Sequence, residues 1–367
     1  MSISWIPSNA RVLELEDDID GVFAVHDVST RGGGRVVVFS GQFLRSPEMV
    51  YDEIATRFRA RGYLALLRHE GGRDVLIAYP APTMGAAGRP VVNLVLFLVT
   101  VVTTLMAGTF QALPPDLVGR FDLALIARHW TLGIPFAAAL LGILGIHELG
   151  HYFVARHYGL DVSLPYFIPF PGNFFTGTLG AVIRIQSPFE SRRALFDVGI
   201  AGPLAGLAVA IPVTVAGLAT ARMVPVSDGA MVFNEPLLFQ WLAGLVLGPR
   251  PAGMDVLLNP LLMAGWLGFL ITALNLVPVS QLDGGHISYA LFGRYHRLVA
   301  WAVFLVAATV TLTQSPGYIV MLGLVFFMGI EHPPALNDLT PIGPARRVLG
   351  VLTLLLFLAL VTVNPFG

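Results

Sequence analysis

The chain has 367 residues, of which 55% are hydrophobic and only 12% are charged, and its formal net charge at pH 7 is −1. Because an average soluble domain carries about 25% charged residues, this composition excludes a soluble globular protein and indicates that most of the chain lies in a lipid bilayer. The balanced charge, with no basic stripe, excludes a nucleic acid as an electrostatic partner. Cysteine is absent, so any metal ion must be bound by His, Asp or Glu.

The amino-terminal part of the chain, residues 1–82, is predicted to form a small α+β domain. Nearly half of the charged side chains fall within the first 89 residues. Apolar, β-branched runs bounded by turn residues predict strands at 35–41, 63–71 and 74–82, with 11–17 and 21–28 as candidate edge strands. Ser46 and Pro47 predict the start of a helix that extends to Phe58. The polar, acidic start lacks the pattern of a secretory signal, so we expect this domain in the cytosol.

Residues 83–90 are rich in Pro and Gly and are predicted to form a linker, and residues 91–367 are predicted to form a transmembrane domain with six or seven helices. The longest apolar segments have enough residues to cross roughly 30 Å of hydrocarbon as a helix. The predicted spans are 91–110, 132–156, 194–220, 258–278, 287–313, 317–330 and 348–363. The third span is interrupted by Asp197. Residues 236–247 are too short to cross and are predicted to lie at the membrane interface.

Residues 163–186 are apolar but contain too many Pro and Gly residues for a continuous helix. Non-helical backbone at membrane depth is tolerated only inside protein or beside a water-filled cavity. Since GTLGAVIRIQ is rich in strand-forming residues, we predict a β-hairpin-like segment that lines a cleft. The predicted fold class is therefore a polytopic α-helical membrane protein with a membrane-embedded β-hairpin and a small amino-terminal α+β domain.

The arginines between the spans predict the orientation of the chain. Cytosolic loops of membrane proteins carry an excess of Lys and Arg. The segments after the second, fourth and sixth spans together carry more arginines than those after the first, third and fifth. This bias predicts that the amino-terminal domain and the carboxyl ends of the second and fourth spans lie on the cytosolic side.

The sequence HELGH occupies residues 147–151, inside the second predicted span. His147 and His151 are four residues apart, so they lie on one face of a helix and their ring nitrogens can share one metal ion. Glu148 lies beside them and can reach a water molecule on that ion. Zinc suits this set, because it accepts imidazole and carboxylate ligands and needs no redox partner. An ionisable side chain in a membrane helix costs roughly 2.5–3.5 kcal/mol, so three within one turn indicate a functional site.

A catalytic zinc ion usually has three protein ligands, and three residues are candidates for the third. His157 stands at the eleventh position of an HExxHxxGxxH pattern, but Val154 replaces the glycine that would turn the chain back towards the metal. Glu190 lies beyond the Pro- and Gly-rich segment. Asp283 is an isolated acid at the end of an apolar span, where neighbouring Pro and Gly residues let the helix break and aim the carboxylate inward. We therefore predict Asp283 as the third ligand.

Together, these residues resemble the two motifs of the site-2 protease family of intramembrane zinc metalloproteases. HELGH matches the zinc motif of the family, and residues 275–284 match its N-x-x-P-x-x-x-L-D-G motif at every fixed position. The similarity extends over roughly residues 90–330. It includes Gly202 and Pro203 in the third span and the Pro- and Gly-rich stretch 169–181. Since residues 221–257 are too short for a PDZ domain, the chain resembles a branch that has a small amino-terminal domain instead.

The resemblance implies zinc binding by His147, His151 and Asp283, with Glu148 as the general base. It implies regulated proteolysis of a transmembrane protein substrate, with or without prior cleavage by another protease, at an active site that opens towards the cytosol.

Three further residues are candidates for substrate binding. We expect Asn275 to hydrogen-bond either the substrate backbone and developing oxyanion or a neighbouring helix. Gly177 and Gly180 belong to the strand-like segment that we expect to pair with an extended substrate. Gly202 and Gly206 are expected to permit close helix packing.

Other functions fit parts of this pattern. A membrane zinc transporter or metal sensor also places His and acidic residues within the bilayer, but a transporter would repeat its polar sites along a path or in inverted halves. A membrane protease of another zinc class would use a Glu, such as Glu190, as its third ligand. An inactive scaffold is disfavoured by the intact motifs.

Overall fold

The computed structural model describes residues 9–81, 88–114, 123–172, 175–225 and 233–365. The chain divides into two compact units. The first comprises Met1–Ala86, Ser187–Phe196 and Pro333–Pro344, and the second comprises the remaining segments. The predicted domain boundary at residue 82 and much of the predicted linker lie outside the described residues. Two later segments also belong to the first unit. An amino-terminal domain made of residues 1–82 alone stays a prediction.

The first unit is built on a four-stranded antiparallel sheet with the strand order β1-β2-β4-β3. Its strands are β1 (Phe23–Arg31), β2 (Val36–Phe43), β3 (Tyr63–Glu70) and β4 (Arg73–Pro80), and its helices are α1 (Asn9–Asp17) and α2 (Pro47–Ala60). Burial alternates along β3, so one face of this strand packs in the core. That core contains the fully buried side chains of Phe39, Phe58, Leu67 and Leu76.

The prediction of an edge strand at 11–17 is wrong, because these residues belong to helix α1. Leu15 and Ile19 are fully buried in the core of the first unit, and Val12 packs against the same core. This spacing of three and four residues matches the helical period and not the two-residue period of a strand. The prediction of a strand at 21–28 is confirmed by β1.

The segment 333–344 continues the sheet of the first unit at its β3 edge. The Leu67 N–H donates to the Leu336 carbonyl at 2.7 Å, and the Asp338 N–H donates to the Leu67 carbonyl at 3.2 Å. Leu336 in turn donates to the Phe189 carbonyl at 2.9 Å. Backbone groups that an edge strand would leave unpaired are thereby satisfied.

The second unit is mostly helical. Among the described residues from 90 onwards, the α-helices are α3 (Pro90–Ala112), α4 (Leu123–Arg128), α5 (Ile134–His157), α6 (Arg192–Ala219), α7 (Leu237–Leu247), α8 (Pro260–Asn275), α9 (Asp283–Phe292), α10 (His296–Thr313), α11 (Ile319–Met328) and α12 (Pro344–Leu360). Four stretches in the described part of the chain are long and apolar enough to cross a membrane: Pro90–Ala112, Trp130–His157, Arg192–Ala219 and Asp283–Thr313. Three shorter apolar helices lie at Leu237–Leu247, Pro260–Asn275 and Pro316–Met328. The protein is therefore a mostly helical membrane protein, and the count of six or seven spans stays a prediction.

The non-helical segment predicted at 163–186 contains an antiparallel pair of strands, β5 (Tyr166–Pro169) and β6 (Thr178–Val182). Its backbone bonds continue beyond the strands, since the Ser163 N–H donates to the Arg184 carbonyl at 3.0 Å. A second pair, β7 (Arg222–Pro225) and β8 (Met254–Leu257), has no counterpart among the sequence predictions.

The helix α8 ends at Asn275, three residues before the predicted end of its span. The Asn259 side chain caps its first turn by accepting from the Leu262 N–H at 2.9 Å, and Pro260 takes the first helical position. The chain then turns through residues 276–282 before α9 begins at Asp283. The turn brings the start of α9 back to the end of α8.

Candidate metal centre

The helix α5 carries His147, Glu148 and His151 in its carboxyl-terminal half. Their exposed fractions are only 4%, 6% and 6%. One face of α5 presents both imidazoles, because residues four apart are neighbours on a helix surface. Ionisable side chains buried this completely need partners within the protein.

Asp283 provides the partner for both histidines. It is the first residue of α9, and the two glycines that follow it allow α9 to begin against the preceding turn. A Cβ atom on Gly284 would lie 2.0 Å from the Leu276 carbonyl oxygen, and one on Gly285 would lie 2.2 Å from the Ser280 carbonyl oxygen. Only glycine fits at these two positions, so the LDGG sequence is required for the approach of Asp283 to α5.

The three side chains converge at distances equal to or slightly shorter than those that a tetrahedral zinc ion requires. The Nε2 atoms of His147 and His151 are 3.1 Å apart. The Asp283 carboxylate lies 3.3 Å from His147 Nε2 and 3.2 Å from His151 Nε2. Ligand atoms about 2.0–2.2 Å from a tetrahedral zinc ion lie about 3.3–3.6 Å from one another, so a small outward movement accommodates the ion. Among the described residues, one group of side chains could bind a metal ion, and it consists of His147, His151 and Asp283.

The orientation of His151 is set by a backbone carbonyl on the neighbouring helix α6. The His151 Nδ1–H donates to the Val198 carbonyl oxygen at 2.7 Å, which leaves the Nε2 lone pair for the metal. A Cβ atom on Gly202 would lie 2.0 Å from His151 Nε2, and one on Gly206 would lie 3.2 Å from His147 Nδ1. The prediction that Gly202 and Gly206 permit close helix packing is confirmed.

Glu148 and Asn275 lie at the edge of the group. The Glu148 Oε1 atom is 4.0 Å from His147 Nε2, and Glu148 is not among the three residues whose ligand atoms all lie within 4.8 Å of one another. Strand β6 packs against α5, the helix that carries Glu148. The Asn275 Nδ2 atom lies 3.3 Å from His147 Nε2. A carboxylate and an amide donor therefore face the same buried space as the three ligands.

The two glycines predicted to bind substrate have clear conformational roles. Gly177 has a φ of 69°, and a Cβ atom there would lie 2.3 Å from the Thr103 carbonyl oxygen of α3. Gly180 has a φ of 107° within β6, a conformation that favours glycine. Their part in substrate binding stays a prediction.

The alternative third ligands lie apart from the three-residue group. His157 is the last residue of α5, and its ring contacts that of Tyr158. Glu190 belongs to the first unit, where it pairs with Arg59.

Two contacts of the centre were not predicted. The Val198 carbonyl is a backbone group and leaves no signature in the sequence. His286 donates from Nδ1 to the Leu282 carbonyl at 2.8 Å and so braces the turn that ends at Asp283. The position of His286, three residues after Asp283 in a mostly apolar helix, could have indicated that it contributes to the centre.

Comparisons with known proteins cover the residues of this centre. A family model described as "Peptidase family M50" matches residues 135–312. "Probable zinc metalloprotease EGY2, chloroplastic" from Arabidopsis thaliana is 30% identical over 372 residues, covering 95% of this chain and 63% of the relative. "Probable zinc metalloprotease EGY1, chloroplastic" is 31% identical over 325 residues in Arabidopsis thaliana, covering 83% of this chain and 57% of the relative. Its counterpart in Oryza sativa subsp. japonica is 32% identical over 327 residues, with 82% and 53% covered.

The chain spans about three fifths of the length of these curated relatives. No solved structure matches it. The matched region contains both predicted motifs, and its donor set fits the zinc ion named in the relatives. The resemblance drawn from the two motifs is confirmed, and the chain belongs to peptidase family M50, the site-2 protease family.

Proposed function

We propose that this protein is an intramembrane zinc metalloprotease that hydrolyses peptide bonds within or near transmembrane segments of membrane-protein substrates. The observation that carries the proposal is the convergence of three zinc-type ligands, the buried His147 and His151 and the part-buried Asp283, beside the buried carboxylate of Glu148. Four ionisable side chains within an apolar helical protein have a high free-energy cost, which a catalytic role explains.

In this proposal His147, His151 and Asp283 bind the zinc ion. When bound, zinc lowers the pKa of a coordinated water molecule to about 7 and polarises the scissile carbonyl.

Glu148 is the general base. Its carboxylate accepts a proton as the water oxygen bonds to the carbonyl carbon, and it returns that proton to the leaving nitrogen as the carbon–nitrogen bond breaks. The position of Glu148 supports this role, since its Oε1 atom is 4.0 Å from His147 Nε2 while the residue lies outside the converging group of three ligands. Asn275 presents an amide donor to the same space and stabilises the oxyanion that develops on the scissile carbonyl.

The β5–β6 hairpin presents the substrate. A helical substrate hides its carbonyls in backbone hydrogen bonds, so cleavage requires an extended segment. The packing of β6 against α5 supports the proposal that the β6 side of the hairpin leads into the catalytic site. Gly177 and Gly180 shape that strand, and the substrate adds to it by β-augmentation.

We further propose a multi-pass protein in which the amino-terminal domain and the active-site opening face the cytosol, as the arginine distribution supports. The substrate is a transmembrane protein, trimmed beforehand by another protease so that its remaining segment can enter. The bilayer is the second partner, and nucleic acid is not one.

The decisive experiment uses the purified full chain in detergent micelles with a fluorescent transmembrane peptide. We expect cleavage that a zinc chelator abolishes and that added zinc restores. Glu148→Gln should retain zinc and lose cleavage, because the amide keeps the shape of the carboxylate but cannot accept the proton. Cleavage by Glu148→Gln at the wild-type rate would contradict the assignment of the base.

The same protein in zinc-loaded liposomes tests the transporter alternative. Zinc flux without peptide cleavage would favour a transporter. The grouping of ligands at one place, and not along a path, supports the protease.

A further inference from the structure

Asp197 is a charged residue in the apolar helix α6, and the catalytic proposal does not use it. Its carboxylate accepts two parallel hydrogen bonds from Arg346, from Nε to Oδ1 and from Nη2 to Oδ2, each of 2.8 Å. The Tyr158 hydroxyl donates to Oδ2 as well. Bidentate Arg–carboxylate pairs are among the strongest and most directional hydrogen-bonded contacts in proteins.

The three side chains lie in or directly after three different helices. Tyr158 directly follows α5, the helix that carries HELGH, and Arg346 lies in the first turn of α12. Burial and the bond to Asp197 raise the pKa of the Tyr158 hydroxyl, so it stays a donor. The cluster of Asp197, Tyr158 and Arg346 therefore ties the end of α5 and the start of α12 to one carboxylate of α6.

The cluster is one residue away from a contact of the metal centre. Val198 follows Asp197, and its carbonyl accepts the 2.7 Å bond that orients His151. Helices α5 and α6 also touch through their backbones, since a Cβ atom on Gly150 would lie 2.7 Å from the Ala201 carbonyl oxygen. At such short range, a small slide or rotation of α6 changes the Val198 bond and the direction of the His151 ring.

We propose that Asp197, with Tyr158 and Arg346, forms a positioning cluster that holds α6 in the register in which Val198 orients His151 towards the zinc ion. The inference rests on the proposed function, because it requires zinc at His147, His151 and Asp283. The residues of the cluster touch neither substrate nor metal. They act through Val198 and His151, as hydrogen-bond partners of metal ligands do.

The test measures zinc affinity by chelator competition on the purified full chain, together with thermal unfolding of the metal-free protein. Loss of an outer partner of a metal ligand typically weakens metal binding by about 10–100-fold. We expect Asp197→Asn and Arg346→Gln each to weaken zinc binding about tenfold or more, and Tyr158→Phe to weaken it less, because only one of the three hydrogen bonds is lost. The exchanged pair Asp197→Arg with Arg346→Asp should restore part of the affinity.

The matched control is Arg250→Gln. Arg250, in the segment between α7 and α8, also pairs with a carboxylate, since its Nη2 atom donates to both oxygens of Glu235 at 2.7 and 2.6 Å. We expect this variant to lower thermal stability while leaving zinc affinity unchanged. Cobalt substitution adds a spectroscopic readout, since a reoriented His151 changes the visible spectrum of the bound ion in Asp197→Asn and not in Arg250→Gln.

Equal zinc affinity in wild type, Asp197→Asn and Arg346→Gln would overturn the positioning role and leave the protease proposal intact. The positioning role would also be overturned, and the protease proposal left intact, if Arg250→Gln weakened zinc binding as much as Asp197→Asn does. A wild-type protein that binds no zinc at all would overturn the proposed function and this inference together. If Asp197→Asn does not fold, Tyr158→Phe and Arg346→Gln give the same comparison with smaller changes.

Discussion

Replacing Gly202 by alanine should eject zinc through a single methyl group. The new Cβ atom would lie 2.0 Å from Nε2, 2.4 Å from Cδ2 and 2.5 Å from Cε1 of His151. Non-bonded heavy atoms prefer about 3.5–4.0 Å, so the imidazole and α6 must separate by more than about 1 Å. Zinc–ligand distances tolerate only about 0.2 Å of error, and a misplacement of about 1 Å in an active site can cost about 10²-fold.

We therefore expect Gly202→Ala to weaken zinc binding by about 100-fold or more and to abolish cleavage. Chelator competition on the purified protein measures the affinity, and thermal unfolding shows whether the fold is retained. Two glycines serve as matched controls. A Cβ atom on Gly206 would lie 3.2 Å from His147 atoms, so Gly206→Ala should cost less than tenfold. Gly142, in α5, has nothing within 4 Å of its Cβ position, and Gly142→Ala should leave zinc unchanged.

The helix preference of alanine makes the comparison of these three glycine-to-alanine variants a stringent test. Alanine stabilises a helix interior by about 1 kcal/mol relative to glycine, so propensity alone would make all three variants equal or more stable. If Gly202→Ala retained zinc with wild-type affinity, the packing of α6 against His151 would not limit the site. The order Gly202, Gly206, Gly142 in lost affinity is the result that the distances require.

Three further predictions test other parts of the molecule. Asp283→Asn should lower both zinc content and cleavage, whereas Glu190→Gln should leave zinc content unchanged, and metal analysis of the two variants separates the two proposed third ligands. His286→Leu loses the 2.8 Å hydrogen bond to the Leu282 carbonyl and should weaken zinc binding about tenfold, as measured by chelator competition. His286→Asn keeps a donor near the position of Nδ1 and should weaken zinc binding less. Asn337→Ala removes side-chain bonds to Thr340 and Leu339 and should destabilise the 333–344 segment by about 2–3 kcal/mol, so hydrogen exchange at the Leu67 amide should accelerate while β4 amides stay protected.

The ligands of the centre were predictable because ionisable side chains in a membrane helix have a high free-energy cost, and such residues are easily recognised in the sequence. His147, Glu148 and His151 stand out in an apolar helix, and their i, i+4 spacing has only a few structural meanings. Asp283 was predictable for the same reason, since an isolated acid beside Pro and Gly residues requires a partner. The structure brings these four side chains together, and their catalytic and ligand roles stay predictions.

Long-range contacts between backbone groups could not be predicted in this way. The bond from His151 to Val198 depends on a carbonyl that every residue has, and the pairing of Leu67 with Leu336 joins positions far apart in the chain. Neither leaves a local pattern. The error at residues 11–17 has a local cause, because a short apolar run in a polar segment fits a strand until its burial period is known.

Glycines surround the centre for a physical reason that is specific to membrane proteins. Lipid tails are as apolar as leucine, so helices in a bilayer associate through close packing and hydrogen bonds and not through burial of apolar surface. A metal site with tolerances of about 0.2 Å therefore needs helices whose backbones touch. Gly150 and Gly202 allow that contact between α5 and α6, and Gly284 allows it between the start of α9 and the end of α8. Residues without any chemistry of their own thus set the metal geometry, and substitutions there should remove zinc while the chain still folds.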